Sequence, residues 1–318
     1  MMAPTRGLRR RLLALARPRR QESLPIRFDR RRIYVLPTRF GLFFATLLAV
    51  MSVGALNYNN NPALLMAFLL AGAAVASLVS AQLQLSGVAI TAVDAEPVPA
   101  GQPLHLRVHA RVDDRRPRSG LKVDYDDGGA AGLAMRGGAG EAVLELPTRH
   151  RGWIDVPRLR VSTTWPLGIA RAWSYAWPDT PLLVYPAPDP VAMPLPAGSG
   201  DPASRRLQAA GDDVHHLRNY RTGDSRRAIA WKPSARRGAL LVREFEQPAG
   251  TDIDLDWREL HGVAHEARIA RLARWVEDAE RDGRRYRLTL PAQPPIGPDR
   301  GPAHRHACLR ALALMPDG

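Results

Sequence analysis

Cysteine is all but missing: Cys308 stands alone in 318 residues, which excludes an intramolecular disulfide framework and a cysteine-based zinc cluster. A reducing compartment fits that usage. Lysine is nearly absent too, with Lys122 and Lys232 the only two among 45 basic residues. Such an arginine excess reads as a coding bias rather than as selection for phosphate contacts. Acidic residues are scarce at the N-terminal end, where residues 1–85 hold 12 arginines against Glu22 and Asp29 alone, a net +10 of the chain's formal net +14. The rest of the chain is only mildly basic, which argues against a nucleic-acid module. With 45% apolar residues the chain has enough hydrophobic material for ordinary cores, and its length suits two domains plus an anchor.

Charge disappears altogether from two runs, residues 40–56 (FGLFFATLLAVMSVGAL) and 62–85 (PALLMAFLLAGAAVASLVSAQLQL). Each is near the length of a membrane-spanning helix, the first somewhat short for a hydrocarbon core of about 30 Å and in need of flanking residues, the second comfortable. Between them lie only Asn57, Tyr58, Asn59, Asn60 and Asn61, so the expected structure is a helical hairpin with both ends on one side. Arg27, Arg30, Arg31, Arg32 and Arg39 precede the first run and the turn has no basic residue. Basic residues close to a span are retained on the cytoplasmic face, which makes residues 1–39 a basic cytoplasmic segment and the C-terminal part cytoplasmic, at a bacterial inner membrane. A cleaved signal peptide and a buried hairpin of a soluble protein are the competing readings.

Residues 86–188 read as β structure, because short stretches rich in Val, Leu and aromatics alternate in polarity between turn signals such as Pro99-Ala100-Gly101 and Gly137-Gly138. About seven such strands in roughly 100 residues suggest an immunoglobulin-like β-sandwich. Residues 189–210 have the Pro, Ala, Gly and Ser content of a linker. Residues 211–318 follow an α/β pattern: a strand ALLVREFEQ, a strand DIDLDW, a helix over 264–281, a strand YRLTL and a short helix over 303–315. In the longer helix Ile269, Leu272, Ala273, Val276 and Ala279 share one face. The fold class is therefore α+β.

The most distinctive stretch is residues 211–246, and its middle, YRTGDSRRAIAWKPSAR, strongly resembles the signature of the domain-of-unknown-function 58 family. The residues that carry it are Arg218, Tyr220, Gly223, Asp224, Arg227, Trp231, Lys232, Ser234, Arg236 and Arg237. The order of hairpin, β region ending in RGWIDVPRLRVSTTWPLGIARAW, and LLVREFE before DIDLDW resembles the family as well. The resemblance implies a membrane-anchored protein with a von Willebrand A-like C-terminal region, associated with a MoxR-type AAA+ ATPase and in some bacteria with a membrane transglutaminase-like protein. It implies no catalytic activity and no cofactor. A cation-binding A domain carries Asp-x-Ser-x-Ser after its first central strand, whereas here Asp256 is followed by Arg258 and Leu260 in place of the serines, and too few residues follow for a full domain. The expectation is a truncated, metal-free version.

The signature's arginines around Asp224, Tyr220 and Trp231 admit a structural latch, with an Asp–Arg pair and an arginine stacked on Trp231, or a docking surface for an acidic partner. A phosphate pocket lacks its glycine-rich loop opening a helix. Three enzyme or metal readings stand beside these. Asp252, Asp254 and Asp256 alternate along one strand and share a face, as a carboxylate site or as charges guarding a sheet edge. Cys308 lies four residues from His304 and two from His306, as a nucleophile with a base or as a buried structural thiol near surface histidines. His215 and His216 are adjacent, and on a strand they point to opposite faces. An anionic-lipid-binding module is the remaining alternative.

Overall fold

The computed structural model describes residues 20–114, 116–126, 128–191, 193–196, 213–219, 241–246 and 252–316, the two strands at 213–219 and 241–246 by backbone only. The architecture is mixed α+β, with two apolar helices near the N-terminus and several β-sheets. Two units divide the chain, Met1–Val184 and Tyr185–Gly318.

The first unit begins with two short strands, β1 (Ile26–Arg27) and β2 (Tyr34–Pro37), and then the helices α1 (Arg39–Asn57) and α2 (Asn61–Leu85). Thr38 starts α1, its hydroxyl accepting from the Gly41 backbone N–H at 3.0 Å, the ordinary way to satisfy a free helix-terminal donor. The connecting turn uses asparagine twice for its conformational tolerance. Asn59 takes a positive φ of 48°, which asparagine accepts more readily than most residues, and the Asn60 side chain accepts from Ala63 N at 3.1 Å to cap α2. Both helices are long and apolar enough to cross a membrane. Few of their residues are buried, and Leu47, Val50, Val53, Leu65, Phe68 and Leu69 are each half or more exposed.

Ten strands follow α2: β3 (Ala89–Ala95), β4 (Leu104–Arg111), β5 (Lys122–Tyr125), β6 (Ala130–Gly132), β7 (Ala134–Arg136), β8 (Ala139–Leu146), β9 (Gly152–Asp155), β10 (Leu159–Thr163), β11 (Ala170–Ala176) and β12 (Pro181–Val184). They form sheets of order β1-β3-β4-β8-β7 and β2-β11-β10-β5-β6, with β12 and β9 paired separately. Alternation is clear in β4, where Leu104, Leu106, Val108 and Ala110 are buried and the residues between them are not. One hydrophobic core takes residues from both sheets, among them Ile90, Leu106 and Leu144 from the first and Val123, Val161 and Ala172 from the second.

Two features depart from the sequence reading. Residues 26–37, expected only as a basic segment ahead of the hairpin, supply a strand to each sheet: β1 pairs antiparallel with β3 and β2 with β11. In addition the end of α2, expected as part of a span, belongs to the domain. Its last two turns run into the domain, with Ala81 and Leu85 in the shared core. At 1.5 Å per residue α1 spans about 28 Å and α2 about 37 Å, and the excess of α2 matches the turns that reach the shared core beside β10 and β11.

In the second unit β13 (Asp213–Asn219) and β14 (Leu241–Glu246) pair antiparallel, with Asn219 opposite Leu241. Asp213 opens β13 and lies opposite Glu246. A three-stranded sheet follows, of β15 (Ile253–Asp256), β16 (Tyr286–Thr289) and β17 (Ile296–Asp299), the first pair parallel and the second antiparallel. Helix α3 (His265–Arg281) makes the crossover that a parallel pair requires, and α4 (Pro302–Ala313) closes the unit. The predicted face of α3 is buried, together with Trp275. The expected linker at 189–210 starts attached rather than free: Asp189 takes two hydrogen bonds from Arg271 at 3.1 and 3.0 Å, and its backbone N–H donates to Ala270 O.

Candidate functional site

The foot of the hairpin is the most elaborately built part of the first unit. Thr38 donates through its backbone N–H to Ile169 O at 2.8 Å and through its hydroxyl to Gly168 O at 2.6 Å. Gly41, one turn along α1, lies so close to that loop that an added Cβ would sit 2.0 Å from Ile169 O. Only glycine permits this approach of helix to loop. At the end of α2 a nearly buried Arg118 donates to Ser86 O at 2.8 Å and to Asp114 at 2.9 Å, its side chain 2% exposed. A cation at this place satisfies a free helix carbonyl and complements the negative end of the helix dipole. The hydrogen bond from Arg118 holds the Asp114 carboxyl below its ordinary range. Gln84 adds a third tie, its side chain accepting from Ser119 N at 3.0 Å.

The acidic strand β15 is the edge of its sheet among the described residues. Its three carboxylates alternate with buried Ile253 and Leu255, as the pleat requires, and each has a partner. Asp252, just ahead of the strand, lies 3.7 Å from Arg285, just ahead of β16, and Asp254 lies 3.6 Å from Arg287 on β16. Asp256 accepts from Arg258 N at 2.8 Å and caps a short 3₁₀ turn. Leu260, at the second serine position of the cation motif, is buried. Among the described residues no three His, Cys, Asp or Glu side chains converge as metal ligands.

Cys308 and His304 share a helix face, but the surroundings differ from the sequence reading. His304 is buried rather than on the surface, and its Nε2 lies 2.9 Å from Tyr286 O. A carbonyl only accepts, so Nε2 carries the proton and is no base toward the Cys308 sulfur 3.6 Å away. Burial pushes the Cys308 thiol up to about 12, the opposite of what a nucleophile needs. His306 is exposed and faces the Tyr185 hydroxyl instead. Between the two helices of this unit, Arg305 grips Glu277 with two hydrogen bonds. Glu280 accepts from Tyr286 OH at 3.3 Å and from Gly301 N at 3.1 Å, joining β16 to the start of α4.

Of the signature residues, Arg218 lies on β13, opposite Val242. Tyr220, Gly223, Asp224, Arg227, Trp231, Lys232, Ser234, Arg236 and Arg237 lie outside the described residues, as do the side chains of His215 and His216. The flanking pair Asn219 and Leu241 brings the two ends of that segment side by side. Sequence reasoning missed Thr38, Gly41, Arg118 and the loop at 164–169. A threonine two residues before the apolar run was a legible cap signal, and a glycine in the first turn of a helical run points to a packing reason. Comparison with known proteins adds no family: no protein-family model matches the chain, and neither a curated protein nor a solved structure gives a significant match.

Proposed function

We propose that this chain is a non-enzymatic, membrane-anchored scaffold. The hairpin crosses a bacterial inner membrane, an immunoglobulin-like sandwich stands at its cytoplasmic foot, and the C-terminal unit is a truncated, metal-free von Willebrand A-like domain. The signature at 211–246 is the surface offered to a MoxR-type AAA+ ATPase, with a membrane transglutaminase-like protein as a second partner and cell-envelope or complex maturation as the setting. One observation carries the architecture: strands before and after the hairpin, β1 with β3 and β2 with β11, belong to the same sheets. A hairpin that spans therefore has both feet on one side, whatever the charge pattern, and is mounted on a folded domain instead of tethered to it. The arginines at 27, 30, 31, 32 and 39 then favour the cytoplasmic side. The partners rest on the family resemblance of the signature.

Enzyme readings find less support. The acidic strand spends its carboxylates on arginines and a cap, and the one thiol is buried with a raised pKa. The test is affinity capture from gently solubilised native membranes, comparing wild type with Arg236→Glu and Arg237→Glu. The ATPase is expected in the wild-type eluate and lost from both variants at unchanged melting temperature, as a docking role for the two arginines requires. Equal ATPase yield from all three proteins, or none from wild type, would remove the partner from the account.

A further inference from the structure

The turn between β10 and β11 exposes two large apolar side chains, Trp165 at 49% and Leu167 at 52%, and it is not a loose loop. Trp165 N donates to Thr163 Oγ1 at 3.1 Å, Gly168 N closes onto Thr164 O at 2.9 Å, and the Trp165 Cβ sits 3.3 Å from where a Cβ on Gly120 would stand. The exposure is therefore a fixed property of the fold. The same turn is fastened to the first turn of α1 through Thr38 and through the glycine contact of Gly41 with Ile169. This fixes its depth. A helix of 19 residues covers about 28 Å, nearly all of a hydrocarbon core of about 30 Å, so its first turn lies at one boundary of that core. Whatever touches that turn lies at the same boundary. Exposed Phe40 and Arg39 continue the surface.

Tryptophan concentrates at this level of a bilayer because its ring is apolar and its N–H still needs a polar neighbour. We propose that residues 164–167 are a membrane wedge, with Trp165 and Leu167 seated in the boundary between headgroups and acyl chains beside the hairpin. The occupant is the lipid surface, because the turn is fastened to the first turn of α1, where Phe40, Leu42 and Phe43 are exposed apolar residues of the same candidate span. The wedge gives the two-sheet domain a contact with the bilayer besides the hairpin, and so resists rocking of the domain about it. This inference rests on the reading that the hairpin spans.

The test places one environment-sensitive thiol-reactive fluorophore on the full chain, reconstituted in vesicles of phosphatidylglycerol and phosphatidylethanolamine. Three variants are compared: Leu167→Cys in the turn, Leu69→Cys on the lipid face of α2, and Gln102→Cys in the turn at the far end of the β3–β4 hairpin from α2. Cys308 is buried, and wild type treated in parallel gives the blank. The Leu167 probe is expected to lose intensity to lipids spin-labelled near the headgroup, and less to lipids labelled near the chain end. The Leu69 probe should show the reverse depth order, and the Gln102 probe should respond only to aqueous iodide. A Leu167 probe that behaves like Gln102 overturns the wedge. So does one shielded from both lipid and iodide, which would mean a protein covers the turn. If the Leu69 probe also ignores lipid quenchers, the spanning reading falls and takes the wedge with it. If Leu69 is quenched and Leu167 is not, the wedge alone falls.

Discussion

Helix α3 keeps Ile269, Leu272, Ala273, Val276 and Ala279 inside and places Glu266, Arg274 and Arg281 on its more accessible sides, whereas α1 and the first turns of α2 point Leu47, Val50, Leu65 and Phe68 outward. Both are regular helices of similar rise. On the proposed spanning reading the difference is the solvent each was built for: α3 resolves a contest between core and water, and the hairpin has no polar face to resolve. Its buried positions outside the embedded end are the small residues Gly41, which meets the Ile169 loop, and Ala55, Ala67 and Ser77, and small residues are how helices approach closely when apolar burial gives them no advantage over lipid. In α2 both regimes occur in one element. Its last turns, with Ala81 and Leu85, obey the rule of α3 and bury their apolar residues in the domain core.

The contrast is sharpest for truncation of a leucine. Leu272→Ala empties a fully buried site and is expected to lower stability by about 3 kcal/mol, read from denaturation of the full chain in detergent. Leu69→Ala, at a side chain 64% exposed, should stay within about 0.5 kcal/mol in the same assay. Equal losses would mean that the hairpin packs like α3 and erase the distinction. Next in size is Gly41→Ala, which forces a Cβ against the Ile169 carbonyl and should cost about 2 kcal/mol through overpacking. A neutral result would show that the foot of the hairpin is loose. Arg118→Met removes the hydrogen bonds that tie the end of α2 to the domain, at a cost of about 2 kcal/mol. Asp114 is itself partly exposed, so Asp114→Asn should cost less than Arg118→Met.

The smallest effect is on acid stability in the second unit. Asp189 is held below its ordinary range by the backbone N–H of Val191 and then by Arg271. A carboxyl whose pKa is lower folded than unfolded contributes stability that is complete above the unfolded value near 4 and is lost as pH falls through the folded value. Wild type should therefore lose more stability than Asp189→Asn between about pH 5 and pH 2, by less than about 1 kcal/mol. Parallel acid titrations would remove Asp189 from the account.

Legibility in the sequence followed the same division. Strands with regular alternation, such as β4, and the buried face of α3 were readable, because burial on one side imposes a period. The hairpin was readable from the absence of charge. Strands β1 and β2 were not, since two and four residues among arginines carry no period and their partners lie far along the chain, β1 on β3 and β2 on β11. Strand β17 escaped because Ile296–Asp299 sits among prolines and glycines, which read as loop. His304 looked like a surface residue by type, yet a carbonyl on β16 satisfies it in the interior. The pairing of Asp252 and Asp254 with Arg285 and Arg287 depended on a parallel register that no local pattern announces.

The central claim is that α1 and α2 cross a bilayer with both feet on the cytoplasmic side. Its most direct measurement is thiol labelling in intact cells with a membrane-impermeant maleimide, using Asn59→Cys in the turn of the hairpin and Arg31→Cys at its foot, with Cys308 buried in both. Asn59→Cys should label on intact cells, and Arg31→Cys only after the membrane is opened. Labelling of Arg31→Cys on intact cells with Asn59→Cys protected would reverse the orientation, and protection of both until lysis would contradict the spanning hairpin.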